Sequence, residues 1–158
     1  MRSRLTSSQE EYAREIALRL LERRSLTAQQ LRDKLANRNV PTAVIERLVT
    51  RFGEVGLIDD ADYAQRWART RTQVANYGAR RIAVELRQRG VADEHIAAAL
   101  ADLTEEDELA AARKVAAKRV AAAGRGGPDA AKRRLVAALQ RRGFNSDVVW
   151  QVVEEHLG

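Results

Sequence analysis

Few side chains in this sequence have the chemistry for catalysis or metal binding. The chain has no cysteine and only two histidines, His95 and His156. The absence of cysteine excludes disulfides and thiolate metal sites, and it suits a reducing cytosol. An internal repeat, described below, aligns both histidines with apolar residues. We therefore expect both histidines to serve packing rather than proton transfer.

Acidic and glycine-rich segments are the remaining candidates for chemistry. Asp59, Asp60 and Asp62 could supply oxygen ligands to Mg²⁺, but no activated nucleophile or phosphate-binding loop accompanies them. Acids in a first helical turn also complement the helix dipole, and we favour this structural interpretation. The glycines at 124–127 lack the Gly-Lys-Ser/Thr ending of a P-loop. The sequence therefore predicts a protein that is not an enzyme and that holds neither a cofactor nor a metal ion.

Arginine provides most of the charge that could recognise a partner. The chain has 28 basic and 22 acidic residues, which gives a net charge of +6. Seven arginines lie between residues 65 and 89 against Glu85 alone, and ten basic residues lie between 109 and 142 against Asp129 alone. Guanidinium groups suit both carboxylates and phosphates, so the charge favours an anionic partner.

The elements that position these charges form an internal repeat. The first copy begins its pattern at Leu31, the second copy follows at an offset of 51, and the third at a further 53. The three copies align without gaps, and they read Leu31-x3-Leu35-x3-Asn39-Val40-x4-Ile45-x3-Val49, Ile82-x3-Leu86-x3-Gly90-Val91-x4-Ile96-x3-Leu100 and Leu135-x3-Leu139-x3-Gly143-Phe144-x4-Val149-x3-Val153. We expect repeats at residues 1–57, 58–104 and 105–158.

Apolar residues recur at spacings of three and four, which is typical of amphipathic helices, and strand signals are absent. Thr27 and Gln30 form a capping-box pattern, and Asp129 is expected to cap the helix after a flexible loop at residues 123–129. The fold class is therefore all-α: three tandem three-helix repeats in an elongated, curved array. The expected helices lie near residues 9–24, 28–38, 42–54, 61–75, 79–89, 93–102, 105–122, 129–142 and 146–156.

Helical spacing also indicates which side chains face a partner. Trp67 and Trp150 lie among apolar positions, so we expect both in the core rather than stacked on bases. Arg81, Glu85 and Arg89 predict a solvated ion-pair ladder, whereas the third repeat has Ala138 in place of the acid.

The candidate partner-binding residues are accordingly the basic ones on the second and third repeats. Their alternatives are a solvated face and, for arginines that precede a turn residue, such as Arg38, Arg89 and Arg142, an interaction with the helix end. The candidates are Arg80, Arg81, Arg87, Lys114, Lys118, Lys132, Arg133, Arg134, Arg141 and Arg142.

Three sequence blocks carry a resemblance to a known family. They are Asp59-Asp60-x-Asp62-Tyr63-Ala64-x2-Trp67, Gly78-x-Arg80-Arg81-Ile82-x2-Glu85-Leu86-x2-Arg89-Gly90-Val91 and Arg142-Gly143-Phe144. With the repeat on both sides, the chain resembles the RecX family over about residues 12–156. Gln30 stands where the family usually has Glu, and Asn39 where it usually has Gly.

This resemblance implies a regulator that binds in the groove of the RecA–DNA filament. It further implies inhibition of filament growth, ATP hydrolysis, strand exchange and coprotease activity. The expected partner is the RecA recombinase filament, with single-stranded DNA inside it as a possible second contact, and the alternative is a sequence-nonspecific DNA-binding protein. Because the sequence contains neither a signal-like segment nor a long apolar run, we expect a soluble, cytoplasmic protein without a membrane partner. No long heptad seam suggests a coiled-coil dimer, so we expect a monomer.

Overall fold

The computed structural model describes residues 2–122 and 126–158, and this part of the chain contains nine α-helices and no strand. Part of the predicted flexible loop, residues 123–125, lies outside the described residues. The helices are α1 (Arg2–Arg23), α2 (Ala28–Ala36), α3 (Thr42–Glu54), α4 (Asp60–Gln73), α5 (Ala79–Gln88), α6 (Asp93–Ala101), α7 (Glu105–Ala121), α8 (Gly127–Arg141) and α9 (Ser146–Leu157).

Each helix triplet forms a unit around its own apolar core. We call α1–α3 unit one, α4–α6 unit two and α7–α9 unit three, and the apolar clusters divide along the same lines. The paired leucine positions of the repeat, such as Leu35, Leu86 and Leu139, are fully buried in their units. Burial of one leucine side chain contributes about 1.5–3 kcal/mol, so the repeat marks the residues that hold each unit together. The all-α fold of three tandem three-helix units is confirmed.

A side chain caps the N-terminus of α2, α4, α7 and α9, whereas α3, α5, α6 and α8 begin without such a hydrogen bond. Gln30 N donates to Thr27 Oγ1 and Thr27 N donates to Gln30 Oε1, both at 3.1 Å, which confirms the predicted capping box. Asp129 does not cap α8, because the helix begins at Gly127 and Asp129 lies in its first turn. Helix α1 begins at Arg2 rather than near residue 9. None of the described helices combines the length and apolar composition that a membrane span requires.

Neighbouring units join at equivalent places. At the first joint, between units one and two, the start of α2 packs on the turn after α5: the Thr27 hydroxyl donates to the Arg89 carbonyl at 2.6 Å, and Ala28 N donates to Asp60 Oδ1 at 2.9 Å. In each joint a middle helix presents its unsatisfied N-terminal amides to the neighbouring unit, which supplies the acceptors.

The second joint, between units two and three, repeats this arrangement with the start of α5 on the turn after α8. Gly78 N donates to the Arg142 carbonyl at 2.7 Å, and Arg80 N donates to the Gly143 carbonyl at 3.1 Å. Ala79 N donates to Glu108 Oε1 at 3.0 Å. Gly143 has a φ of 91°, and an added Cβ would lie 2.4 Å from the Arg81 nitrogen. Glycine is therefore required here for both its conformation and its size.

Candidate interaction surface

The residues with potential for catalysis are used in the fold. Asp59 caps α4 by accepting from Asp62 N at 3.0 Å, and Asp62 pairs with Arg66 at 2.8 Å. Together with the Asp60 contact at the first joint, these bonds support the structural interpretation of the acids. His156 is partly buried, with Nδ1 2.9 Å from the Val152 carbonyl. Among the residues that the structure describes, no group of three or more acids, histidines or cysteines is placed to hold a metal ion.

The second joint brings predicted residues from two repeats side by side. Because α5 starts on the turn that ends α8, Arg80 and Arg81 of unit two face Arg141 of unit three across a groove of about 450 Å³. The exposed Val84 supplies an apolar patch in this groove. Arg81 and Arg141 are 60 residues apart in sequence, and only the joint makes the arginines of the two units neighbours.

A second groove of about 350 Å³ continues along α8 toward α9. Lys132 and Arg133 line it together with Trp150. Gln140 lines both grooves, so the two adjoin at this residue; one acid lines each of them as well, Asp129 in this groove and Glu85 in the other. We call the two grooves together the basic groove and define it by Arg80, Arg81, Val84, Lys132, Arg133, Gln140, Arg141 and Trp150.

Some charges of the basic groove have partners within the chain. Arg81 pairs with Glu85 at 3.6 Å, and Lys132 approaches Glu154 at 3.8 Å, so both ion pairs are loose. Arg80, Arg133 and Arg141 are exposed and make no salt bridge with any residue in the described part of the chain. Their charges are the ones most available to an external anion.

The solvated ladder predicted on α5 forms only in part: Arg81 pairs with Glu85, but Glu85 is buried and Arg89 does not pair with its carboxylate. Glu85 is 9% exposed, and its close partner is Arg71 of α4, at 2.8 Å. Arg89 instead stacks over Trp67, with its guanidinium carbon 3.8 Å from the ring centroid, and donates to the Glu85 carbonyl at 3.3 Å. The prediction failed in part because helical spacing reports only neighbours on the same helix, whereas Glu85 points toward α4.

Arg142 and Arg87 make close polar contacts inside the chain, and Arg81 lies over the Tyr77 ring at 4.1 Å. Arg142 donates to the carbonyls of Ala75 at 2.8 Å and Asn76 at 3.2 Å, and its guanidinium lies over Tyr77. It therefore fastens the second joint. Arg87 pairs with Asp93 at 3.2 Å on the exposed surface. A partner contact at any of these positions stays a prediction.

The other predicted residues lie outside the basic groove. Lys114 and Lys118 are exposed on α7, and Arg134 lines a separate pocket with Arg119 near the end of α7. The structure does not bring these three residues together with Arg80 or Arg141. Their contact with a partner remains a prediction.

Trp150 was expected in the core, and this expectation is wrong. Its side chain is 50% exposed, whereas Trp67 packs partly buried against the core of unit two. Apolar side chains occupy α9 on both sides of this position, because Val148, Val149, Val152 and Val153 are all buried. In such a helix the spacing does not separate the half-exposed tryptophan from its buried neighbours. A large exposed ring beside Arg133 is a feature that partner surfaces commonly use.

Comparison with known proteins identifies the family. Family models for the first, second and third three-helix domains of RecX match residues 13–52, 59–100 and 105–153. The chain belongs to the RecX family. Each matched domain corresponds to one of our units, so the repeat found in the sequence is the domain structure of RecX.

Relatives and solved structures agree with this assignment. The regulatory protein RecX of Thermobifida fusca is 42% identical over 92% of this chain and 78% of its own length. The regulatory protein RecX of Mycolicibacterium smegmatis is 40% identical over 95% of this chain and 82% of its own length. The RecX crystal structure from Lactobacillus salivarius superposes with a TM-score of 0.88 at 20% identity over 94% of this chain and 97% of that one, which shows the shared fold. This chain is thus a RecX-type regulatory protein.

Proposed function

We propose that this chain binds the RecA–DNA filament and restrains RecA recombinase, ATPase and coprotease activities without catalysing a reaction itself. The observation that carries the proposal is the basic groove on a chain with all three RecX domains. Arg80, Arg133 and Arg141 present donors there that the fold does not use. A filament offers carboxylates of protein and phosphates of DNA, and a guanidinium can bind either one in bidentate fashion.

Sequence-nonspecific binding of single-stranded DNA is the second candidate, and one observation favours it. Trp150 is half exposed and lies in the same groove as Arg133. Base stacking on an aromatic side chain beside a cation is the usual chemistry of single-strand binding. The same surface therefore serves both candidates, and an experiment must separate them.

The test is the double substitution Arg133→Ala with Arg141→Ala. The matched control is Arg38→Ala with Arg69→Ala, which removes two exposed arginines that do not line the basic groove. The free energy of unfolding of both variants should lie within about 0.5 kcal/mol of the parent's, since the substitutions are on the surface. Only the first should weaken inhibition of RecA strand exchange, by about tenfold or more if both guanidinium groups bind the partner.

Salt dependence distinguishes the partner. If the two arginines meet phosphates, the double variant should lower the slope of log affinity against log salt by about 0.7–0.9 for each phosphate that it no longer binds. Ion pairs with RecA carboxylates need not follow this relation. Parental inhibition by the double variant would exclude the basic groove as the binding site, and inhibition that tracks DNA sequestration alone would favour the DNA-binding candidate.

We further propose that the chain acts in the cytoplasm as a monomer. The two ends of the array differ from the inner joints, which supports the monomer. The turn after α2 carries Asn39 where the joints carry glycine. Helix α8 begins at Gly127, although the repeat offset from Ala79 would place its start at residue 132. The cytoplasmic location follows from the proposed partner.

A further inference from the structure

The two joints are fastened differently. At the second joint, Arg142 of unit three reaches the carbonyls of Ala75 and Asn76 in unit two. The repeat offsets make Arg89 the counterpart of Arg142 at the first joint. In the described chain, the side-chain hydrogen bonds and ring contact of Arg89 are all with its own unit: Trp67, the Tyr63 hydroxyl at 3.1 Å and the Glu85 carbonyl. Arg89 therefore does not bridge the units as Arg142 does.

A groove of about 280 Å³ lies at this first joint. Unit one contributes Arg24 and Ser25, and unit two contributes Arg66, Arg89 and Trp67. By the repeat offset, Arg24 and Ser25 occupy the positions whose carbonyls Arg142 binds at the second joint. Three guanidinium groups thus line one groove between two units.

The charge in this groove is only partly compensated. No carboxylate lines it in the described part of the chain. Arg66 Nε is paired with Asp62 at 2.8 Å, while its Nη2 donates to Ser25 Oγ at 3.3 Å across the joint. Arg24 is exposed, and its side chain makes no hydrogen bond or salt bridge with a described residue. Like charges held close together favour a bound anion.

The shape and chemistry of the groove favour binding of an anion over stacking of a nucleobase. Trp67 is already stacked on Tyr63, with ring centroids 6.1 Å apart, and Arg89 and Arg71 both lie over its ring. A base would have to displace one of these neighbours. A phosphate needs no free ring face, and its several acceptor oxygens can engage guanidinium groups that come from different directions.

We propose that the groove at the first joint is a phosphate site that ties unit one to unit two. A phosphate bound there joins Arg24 to Arg66 and Arg89, and so supplies the bridge that the side chain of Arg142 supplies at the second joint. This inference does not rest on the proposed action on RecA, because it concerns the chain alone. The phosphate could be a free anion or part of a nucleic-acid backbone.

The first experiment titrates the full chain with pyrophosphate at constant ionic strength, followed by calorimetry. The Arg24→Ala variant removes one wall of the site without removing a hydrogen bond or salt bridge to a described residue. It should bind pyrophosphate about tenfold or more weakly, as expected when one charged hydrogen bond is removed. The control, Arg38→Ala, changes the charge equally but lies outside the groove and should bind as the parent does.

Two further measurements check where pyrophosphate binds and whether it stabilises the protein. In a Trp150→Phe background the remaining tryptophan is Trp67, so its fluorescence should change with the same midpoint as the calorimetric titration. At one pyrophosphate concentration, the melting temperature of the parent should also rise more than that of Arg24→Ala, because a ligand stabilises the state that binds it in proportion to its occupancy. Equal affinities for the Arg24→Ala and Arg38→Ala variants, or calorimetric binding without a Trp67 signal, would overturn the proposal.

A short oligothymidylate identifies the source of the phosphate. Binding that depends on Arg24 and competes with pyrophosphate supports a nucleic-acid backbone as the ligand. Arg24-dependent binding of pyrophosphate alone supports a free anion. If neither probe depends on Arg24, the site does not exist.

Discussion

Replacing Gly143 with alanine tests whether the second joint depends on the absence of a side chain. A left-handed alanine costs about 1–2 kcal/mol, and an atom forced 2.4 Å from the Arg81 nitrogen adds an overpacking cost of about 1–3 kcal/mol. The substitution would also strain the hydrogen bonds that Gly78 N and Arg80 N donate across the joint, each of which contributes about 1 kcal/mol. We expect a total destabilisation of about 3–5 kcal/mol.

The chain contains a matched control for this substitution. Gly56 has a similar φ of 79°, but an added Cβ there would meet no heavy atom within 4 Å. Gly56→Ala should therefore cost only the conformational part, about 1–2 kcal/mol. Gly90→Ala should cost about as much as Gly143→Ala, since its added Cβ would lie 2.3 Å from the Cβ of Gln29, an atom that is fixed to the backbone of α2.

Urea unfolding followed by circular dichroism measures the three stabilities, and hydrogen exchange locates the effect. In Gly143→Ala the amides of Gly78 and Arg80 should lose protection first, because they donate across the joint. Equal destabilisation by Gly143→Ala and Gly56→Ala, with both joint amides still protected, would refute the reasoning. It would mean that α5 can move away from the turn at little cost.

Three further predictions concern single sites. Leu86→Ala should destabilise the protein by about 2–5 kcal/mol in urea unfolding, because the side chain is fully buried, and an unchanged midpoint would contradict that burial. The hydrogen bond from Arg113 lowers the pKa of Glu155 to about 2, so the stability it contributes should be present above pH 4.5 and lost as the pH falls toward 2. Unfolding of the parent and Glu155→Gln should therefore differ at neutral pH and converge in acid; parallel profiles would argue against the pair. Iodide should quench the exposed Trp150 more strongly than Trp67, as measured in single-tryptophan variants, and equal quenching would contradict the structure.

The fold could be predicted from sequence because its signals are local and occur three times. The capping box at Thr27 and the periodic leucines each report a structure within a few residues, and the repeat shows the same pattern in every unit. The prediction that Asp129 caps α8 was wrong because Gly126 and Gly127 allow the helix to begin earlier. In sequence, a polar residue inside the first turn resembles one that caps the helix. Helix boundaries are set by the tertiary fold as well as by capping preference.

The candidate site was only partly predictable, because charge density along a helix does not show which charges meet. Arg80 and Arg133 were identified as available, and the structure places both on one surface. Arg142 carries the same charge, yet it is used inside the joint. The distinction depends on carbonyls 66 or more residues away in sequence, which no local pattern reports.

Packing at the joints also explains why Asn39 departs from the family pattern. At Gly90 and Gly143 a neighbouring helix packs so closely that an added Cβ would overlap Gln29 or Arg81. The equivalent turn of unit one has a φ of 62° at Asn39, and this residue is exposed. Asparagine tolerates the left-handed conformation, but its side chain would overlap a closely packed neighbouring helix. The glycine is therefore needed where another unit docks, and asparagine is tolerated where the array ends.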